Sequence, residues 1–326
     1  MGGSVVGSPR VKPGRPMSVT QFEREATRGR HSIERLFRQI RAALSDRVDV
    51  RVVRCPIART SLGWFVRGCW RAWWNRSEVN HICGDVHYLA LVLPGRRTVL
   101  TIHDLGRLNE LRGWRGWFYD LLYFRLPLKS ARWITCISDE TRRQLVERYP
   151  WVESRVKVIP NCVPDSYSQV PTEFNTDPTI VLQIGTAPHK NLERVAQGVA
   201  AERCFFRVIG RMTGGQRKLL RDLGLPHEEL VDLSDQELRQ AYIGSDIVTF
   251  VSTREGFGLP IIEANAIGRA VITSNRSPMK EVAGGAACLV DPLDVQSIRA
   301  AIRLVVSDVS FRQGLVRKGL ENSARF

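Results

Sequence analysis

The feature that most limits what this chain can fold into is the regular alternation of short, β-branched runs with amphipathic segments through its second half. Strand candidates are Thr179 to Ile184, Phe205 to Ile209, Ile247 to Val251, Ala270 to Thr273 and Ala287 to Val290. Helical periods fill the gaps at Glu193 to Val199, Gln216 to Leu223, Gln236 to Tyr242 and Gln296 to Val306. Strand, helix, strand at this rhythm predicts an α/β fold, with parallel sheets covered by helices on both faces. The first half repeats the pattern less cleanly. Ile33, Leu36, Phe37, Ile40 and Leu44 mark a helix from Ser32 to Leu44 with arginines on its other face. Strand-like runs follow at Val48 to Val53, Thr98 to Ile102, Trp133 to Ile137 and Val156 to Ile159, and Ser138 caps a helix over Thr141 to Glu147. Two such halves, joined near Pro164 to Pro178, leave a cleft between them. Open parallel sheets bind ligands at the carboxyl ends of their strands, so the cleft is the expected site.

A chain of 326 residues accommodates this as two domains. The expected division is a flexible, Gly-, Pro- and Ser-rich leader over 1–20, an N-terminal domain over 21–168 and a C-terminal domain over 169–326. No apolar run, Tyr88 to Pro94 included, approaches the roughly 20 residues of a spanning helix. Gly2 to Pro16 also lacks the apolar core of a secretory signal, so the expected location is the cytoplasm. The seven cysteines are scattered without CxxC pairs, which argues against a disulfide framework and against a zinc site; no metal or other cofactor is expected. The net charge of +15 lies almost wholly in the first half: residues 1–165 carry 29 Lys and Arg against 15 Asp and Glu, and residues 166–326 carry 19 against 18. Such a half suits anionic lipid, nucleic acid or an acidic polymer, and an arginine-rich composition also arises with no partner at all. Two segments of that half, Trp64 to Arg76 and Arg112 to Trp133, interleave aromatic rings with arginine. That pattern fits an interfacial helix on an anionic membrane, with core packing as the other account of the rings; a nucleic-acid platform is not expected.

The most informative segment is Arg254-Glu255-Gly256-Phe257-Gly258-Leu259-Pro260-Ile261-Ile262-Glu263. A strand runs into a two-glycine loop and Pro260 opens a helix, so backbone amides at the helix start offer a seat for phosphate or sugar oxygens. Glu255 and Glu263 flank the loop and suit the vicinal hydroxyls of a sugar and a ribose. Taken singly, Glu263 in the first helical turn also reads as a helix-dipole residue and Glu255 as a solvated one.

This Glu, seven residues, Glu arrangement resembles the signature of the family 4 retaining glycosyltransferases, also called glycosyl transferases group 1. Four further segments are similar to that family in the same order: Thr101 to Leu105, Val158 to Val163, Gln183 to Leu192 and Ser274 to Pro292. The resemblance spans roughly residues 80 to 326 and implies the GT-B architecture, two Rossmann-like domains facing across a cleft. It implies transfer of a sugar from a UDP- or GDP-sugar to a glycan or lipid-linked acceptor, with retention of configuration, no metal and no secure protein nucleophile. The alternatives are an idle binding or assembly subunit of the same fold and, more remotely, a basic nucleic-acid-binding protein.

Residue by residue, the resemblance gives Lys190 the donor diphosphate, with Arg211 a second cation or a plain surface residue. Gly185 and Asn191 belong to the same phosphate segment. Glu255 would hold the transferred sugar, the amides of Gly256, Phe257, Gly258 and Leu259 its hydroxyls and phosphate, and Glu263 the ribose. Leu233 to Leu238 would line the base pocket. His103 would sit near the reacting sugar, beside Asp104, and Asp85 and His87 would form a second acceptor-side cluster. The chain departs from the pattern at both edges. Its first strand is weak (Val5, Val6 and Val11 at best), Gly29 to Ser32 is the nearest stand-in for the family's first glycine loop, and the C-terminal crossover helix is expected to be missing.

Overall fold

Two six-stranded sheets carry the molecule, and every pairing in both is parallel. The computed structural model describes residues 16–25, 32–44, 47–57 and 63–326. The expected leader as far as residue 15, the strand sought at Val5, Val6 and Val11, and Gly29 to His31 of the glycine-loop stand-in lie outside them. The first sheet contains β1 (Met17–Arg24), β2 (Val48–Cys55), β3 (Val79–Ile82), β4 (Thr98–Ile102), β5 (Trp133–Cys136) and β6 (Val156–Val158), in the order β2-β1-β3-β4-β5-β6. The second contains β7 (Thr179–Ile184), β8 (Cys204–Ile209), β9 (His227–Leu230), β10 (Ile247–Phe250), β11 (Ala270–Ser274) and β12 (Cys288–Val290), in the order β12-β11-β10-β7-β8-β9. Strand order reverses between β1 and β3 and again between β7 and β10. These reversals are where successive loops part and a crevice opens at the strand ends.

The centre of the second sheet is buried on both faces, which is why β10 and β11 read as largely apolar runs. Val181, Phe206, Val208 and Ile272 pack on one side against Leu192, Val195, Ile298 and Ile302. Their strand neighbours Leu182, Val248, Phe250 and Val271 pack on the other against Tyr242, Ile261 and Ile262. The period of two along each strand supplies both cores from one sheet.

The leader does not extend to residue 20: β1 starts at Met17 and runs through the middle of its sheet. Its hydropathy conceals it, because Thr20, Gln21, Glu23 and Arg24 are buried and satisfied by side chains rather than by apolar contact. Arg41 of α1 (Ser32–Leu44) donates to both Gln21 and Glu23 at 2.6 Å, and Arg24 reaches Glu34 at 2.7 Å and Asp85 at 2.9 Å. The arginine face of α1 is therefore turned to protein, not wholly to solvent. The two Trp- and Arg-rich segments form α2 (Gly63–Trp74) and, after α3 (Gly106–Glu110), α4 (Gly113–Asp120). Their rings divide: Trp64, Tyr119 and Tyr123 join Tyr88 in one aromatic cluster, whereas Trp70, Trp73, Trp74, Trp114, Trp117 and Phe118 face outward. No helix among the described residues is long and apolar enough to cross a membrane.

Candidate active site

The loops after β7 and β10 flank the reversal in the second sheet, and both carry expected site residues. Gly185 closes β7 at φ +91°, and the Lys190 side chain runs across it so closely that a Cβ there would lie 2.8 Å from Lys190 Cγ. Glycine is required on both counts. The lysine stem so placed brings Nζ to 2.6 Å from Glu255 Oε1 and 4.6 Å from the centre of the Phe250 ring. Lys190 and Glu255 are each largely buried, with side chains 20% and 14% exposed. Cation and carboxylate of the two motifs thus meet at one point, at the ends of adjacent strands.

Asn191 does not join them. Its side-chain amide donates to Val251 O and Pro292 O at 3.1 and 2.6 Å, and the residue is buried, so it anchors the loop instead of facing a donor. Arg211 stands apart as well, exposed and 3.4 Å from Asp232. Helix Leu259–Ile267 begins one residue earlier than Pro260, with Gly258 at its N-cap, which puts Glu263 in the second turn and removes its reading as a dipole residue. Glu263 is buried, accepts from Tyr242 Oη at 2.6 Å and forms an ion pair with Arg35 of α1. Leu233 and Leu238, expected at a base pocket, pack with Tyr242 at the edge of the same core.

Across the cleft His103 ends β4, enclosed by Phe37 edge-on at 6.1 Å. Burial pushes its pKa down, and bonding to Cys83 O at 2.8 Å and the nearby carboxylates of Asp85 and Asp104 only partly oppose that. A carbonyl only accepts, so Nε2 bears the proton and Nδ1 of the neutral ring keeps its lone pair. Asp104 is exposed and caps Gly106 N at 2.7 Å. For Asp85 burial would raise the pKa, but the Arg24 guanidinium holds it below the usual carboxylate range. His87 donates from Nδ1 to Tyr123 O at 2.9 Å and packs against Phe124; it lies within the field of Asp85 and Asp104 but in the domain interior.

The two halves touch at the centre of this constellation. Gly256 O accepts from Ser138 Oγ at 2.7 Å and Thr141 Oγ1 at 3.2 Å, and a Cβ on Gly256 would fall 2.2 Å from His103 O. Phe257 is buried behind it against Phe326. Arg254 bridges to Glu110 of α3 at 2.5 Å, and Arg38 of α1 to Asp235 at 3.0 Å. Arg35 and Arg38 give no sign in the sequence because they sit on a polar helix face, and Ser138, read as a helix cap, and Arg254, at the head of the Glu255 loop, give no sign of their contacts across the cleft. Among the described residues no group of three or more His, Cys, Asp and Glu is gathered so as to hold a metal ion.

With this geometry established, comparison with known proteins is direct. Residues 18–167 match the family described as Glycosyltransferase Family 4, and residues 168–321 the one described as Glycosyl transferases group 1. The O-antigen chain mannosyltransferase B of Escherichia coli is 37% identical over 92 residues, 28% of this chain and 24% of that protein. The O-antigen chain mannosyltransferase RfbU of Salmonella typhimurium is 26% identical over 286 residues, 81% of this chain and 79% of its own. The chain thus spans only about a quarter of the length of the first relative but most of the second. Among solved structures, Anabaena HepE in complex with UDP-glucose superposes with a TM-score of 0.76 over 95% of both chains at 14% identity, a likeness of fold.

Proposed function

From the premise that this chain belongs to the GT-B glycosyltransferases, with a family 4 N-terminal half and a group 1 C-terminal half, we propose that it transfers a sugar from a nucleotide-sugar donor to a glycan or lipid-linked acceptor. The observation that carries this reading is the Lys190–Glu255 pair, set at the ends of β7 and β10 directly behind the Gly256 loop that meets His103 across the cleft. It sets a cation for a departing diphosphate and a carboxylate for sugar hydroxyls next to the loop that touches His103, whose ring nitrogen is an acceptor.

In the proposed step the bond from the sugar C1 to the diphosphate oxygen breaks, the acceptor oxygen bonds to C1, and the acceptor proton leaves with the diphosphate. Lys190 exchanges Glu255 for the diphosphate and neutralises the charge that builds there; Glu255 turns to the sugar hydroxyls. Neutral His103 accepts from a sugar hydroxyl through Nδ1, and its depressed pKa suits it to hold that bond rather than to take the proton. Arg211 lies one loop away as an exposed second cation for the phosphate end. Asp104 faces the acceptor, with Asp85 and His87 shaping the wall behind. The mannosyl group is the first sugar to test, because the O-antigen relatives bear mannosyltransferase names.

The outward rings of α2 and α4, among Arg67, Arg76, Arg112 and Arg115, support peripheral docking on an anionic membrane from its cytoplasmic side, where a lipid-linked acceptor would be presented.

The test is a melting-temperature screen with UDP, GDP, ADP and their sugar conjugates, followed by transfer from the stabilising donor to lipid-linked and free glycan acceptors. A selective rise with one nucleotide series and a sugar-lengthened product are expected, since a ligand bound only by the folded state stabilises it. No rise with any nucleotide and no product would overturn the proposal.

A further inference from the structure

Both oxygens of the Glu263 carboxylate are engaged, by partners from opposite domains. Arg35 in the first turn of α1 donates from Nη2 to Oε1, and Tyr242 donates to Oε2. The contact is closed to water: the carboxylate side chain is 3% exposed and the guanidinium side chain 10%. One turn further along α1, Arg38 reaches Asp235 at the start of the helix Asp235–Ile243. α1 therefore lies along the edge of the C-terminal domain where the nucleoside of a donor is expected, with two cations turned toward it.

A second feature of the same place is independent of that pair. Tyr167, in the segment joining the domains, stands edge-on to Tyr242 at 5.8 Å, within the field of Glu263, Arg35 and Asp235. The residue is 5% exposed, and its hydroxyl is buried with no hydrogen-bond partner among the described residues. A buried hydroxyl without a partner is costly, and this one lies close to the ion pair.

Ribose hydroxyls reach Glu263 only if Arg35 moves off it. Separation alone would leave a buried anion and a buried cation uncompensated, which is the expensive way to break such a pair. The ligand that removes both penalties carries hydroxyl donors for the carboxylate and negative charge for the guanidinium in one molecule. A nucleoside diphosphate does so; a nucleoside lacks the anion. Resting on the nucleotide-sugar reading above, we propose that Arg35 is a donor-binding residue supplied by the N-terminal domain. On donor binding its guanidinium exchanges the Glu263 carboxylate for the diphosphate, while Glu263 and the Tyr167 hydroxyl take the ribose. Arginine suits the role because its planar fork meets two phosphate oxygens at once. The exchange makes the donor's own charge the tie between the domain that holds it and the domain that holds the acceptor.

Calorimetric titration of the full chain and its Arg35→Ala and Arg35→Lys variants with UDP and GDP, and by competition with uridine and guanosine, tests this. In Arg35→Ala the affinity for whichever diphosphate the parent binds should fall at least about 10-fold, with nucleoside affinity unchanged or raised, because the competitor for Glu263 is gone. Arg35→Lys should recover part of the loss. It also serves if the alanine variant does not fold, since it keeps a cation for Glu263, and its diphosphate-to-nucleoside affinity ratio should still fall several-fold. A ratio equal to the parent's in the folded variants would overturn the proposal and leave Arg35 an interdomain strut. A parent that binds UDP, GDP and ADP not at all would overturn the nucleotide-sugar reading itself, so the two failures are distinct.

Discussion

In the proposed transfer Lys190 and Glu255 are the residues on which the chemistry turns, and their surroundings set what each substitution does. The lysine stem lies on Gly185 and its charge on the Phe250 ring, so the cation is held in place apart from its ion pair. Lys190→Ala should lower kcat about 10²- to 10³-fold, the usual loss for one group that stabilises charge in the transition state. The melting temperature should stay within about 4 °C of the parent. Glu255→Gln, which keeps the shape and removes the charge, should raise KM for the donor and lower kcat together; steady-state kinetics on both variants check this. Glu255 stands out in the sequence because its two-glycine loop runs from a strand into a helix, whereas Lys190 is singled out only by the resemblance of Gln183 to Leu192 to the family's phosphate segment; the structure pairs the two. Asn191 was misplaced for the converse reason. It sits in the same motif, but at φ 61° its amide is spent on two carbonyls, a role that spacing does not distinguish from ligand binding. Glu263 is expected at the ribose, and its hold on Arg35 joins positions 228 residues apart and leaves no local trace.

At the scale of elements, strands with apolar faces were legible and strands satisfied by side-chain hydrogen bonds were not. β7, β10 and β11 announce themselves, whereas β1 and β9 (His227-Glu228-Glu229-Leu230) carry polar residues whose partners come from elsewhere in the chain. β1 in particular depends on α1, so the two form as a pair. The N-terminal domain also encloses three histidines, His87 and His103 buried and His81 partly so, that read in the sequence as polar site residues or carry no signal. Burial lowers the pKa of His81 to about 4 and pushes those of His87 and His103 down as well. Each is neutral in the folded chain while its unfolded counterpart takes a proton near 6.5. Below that value the unfolded state binds more protons, so stability falls as the pH drops, by up to ~1.4 kcal/mol per pH unit for each histidine, until the folded pKa is reached. Urea unfolding between pH 7 and pH 5 should show this decline, and His81→Asn should make it shallower, leaving the share of His87 and His103. On the outer side, α2 and α4 present tryptophans up to 75% exposed at Trp114. If they dock on lipid, Trp70→Ser with Trp114→Ser should reduce co-sedimentation with anionic vesicles at least about 10-fold while transfer to a water-soluble acceptor persists; unchanged sedimentation would remove the membrane from the account.

For the molecule as a whole, the question is what brings two separately cored domains to the distance at which a donor in one meets an acceptor in the other. The polar contacts that answer it are Arg35 and Arg38 from α1, Arg254 to Glu110, and the hydroxyls of Ser138 and Thr141 on Gly256 O, beside Ile137, which joins the apolar cluster of the C-terminal domain. The exposed pairs of this seam, Arg38 with Asp235 and Arg254 with Glu110, contribute little and are screened by salt, whereas the buried Arg35–Glu263 pair is costly to separate. The domains approach most closely where the Gly256 backbone rests on His103 O. A methyl group at 256 would sit 2.2 Å from that oxygen, and both neighbours are backbone, so the domains themselves must part. The substitution leaves Lys190, Glu255 and the pocket behind them untouched, and the cores of both domains do not sense it. Gly256→Ala should accordingly bind the nucleotide diphosphate within about 3-fold of the parent while losing at least about 100-fold in transfer, since an ångström of misplacement between reacting groups is worth that much. Calorimetry beside a transfer assay reads the two separately. Loss of nucleotide binding in step with transfer would mean that the glycine serves the donor pocket and not the approach of the domains, whereas full activity would show that the seam yields without consequence.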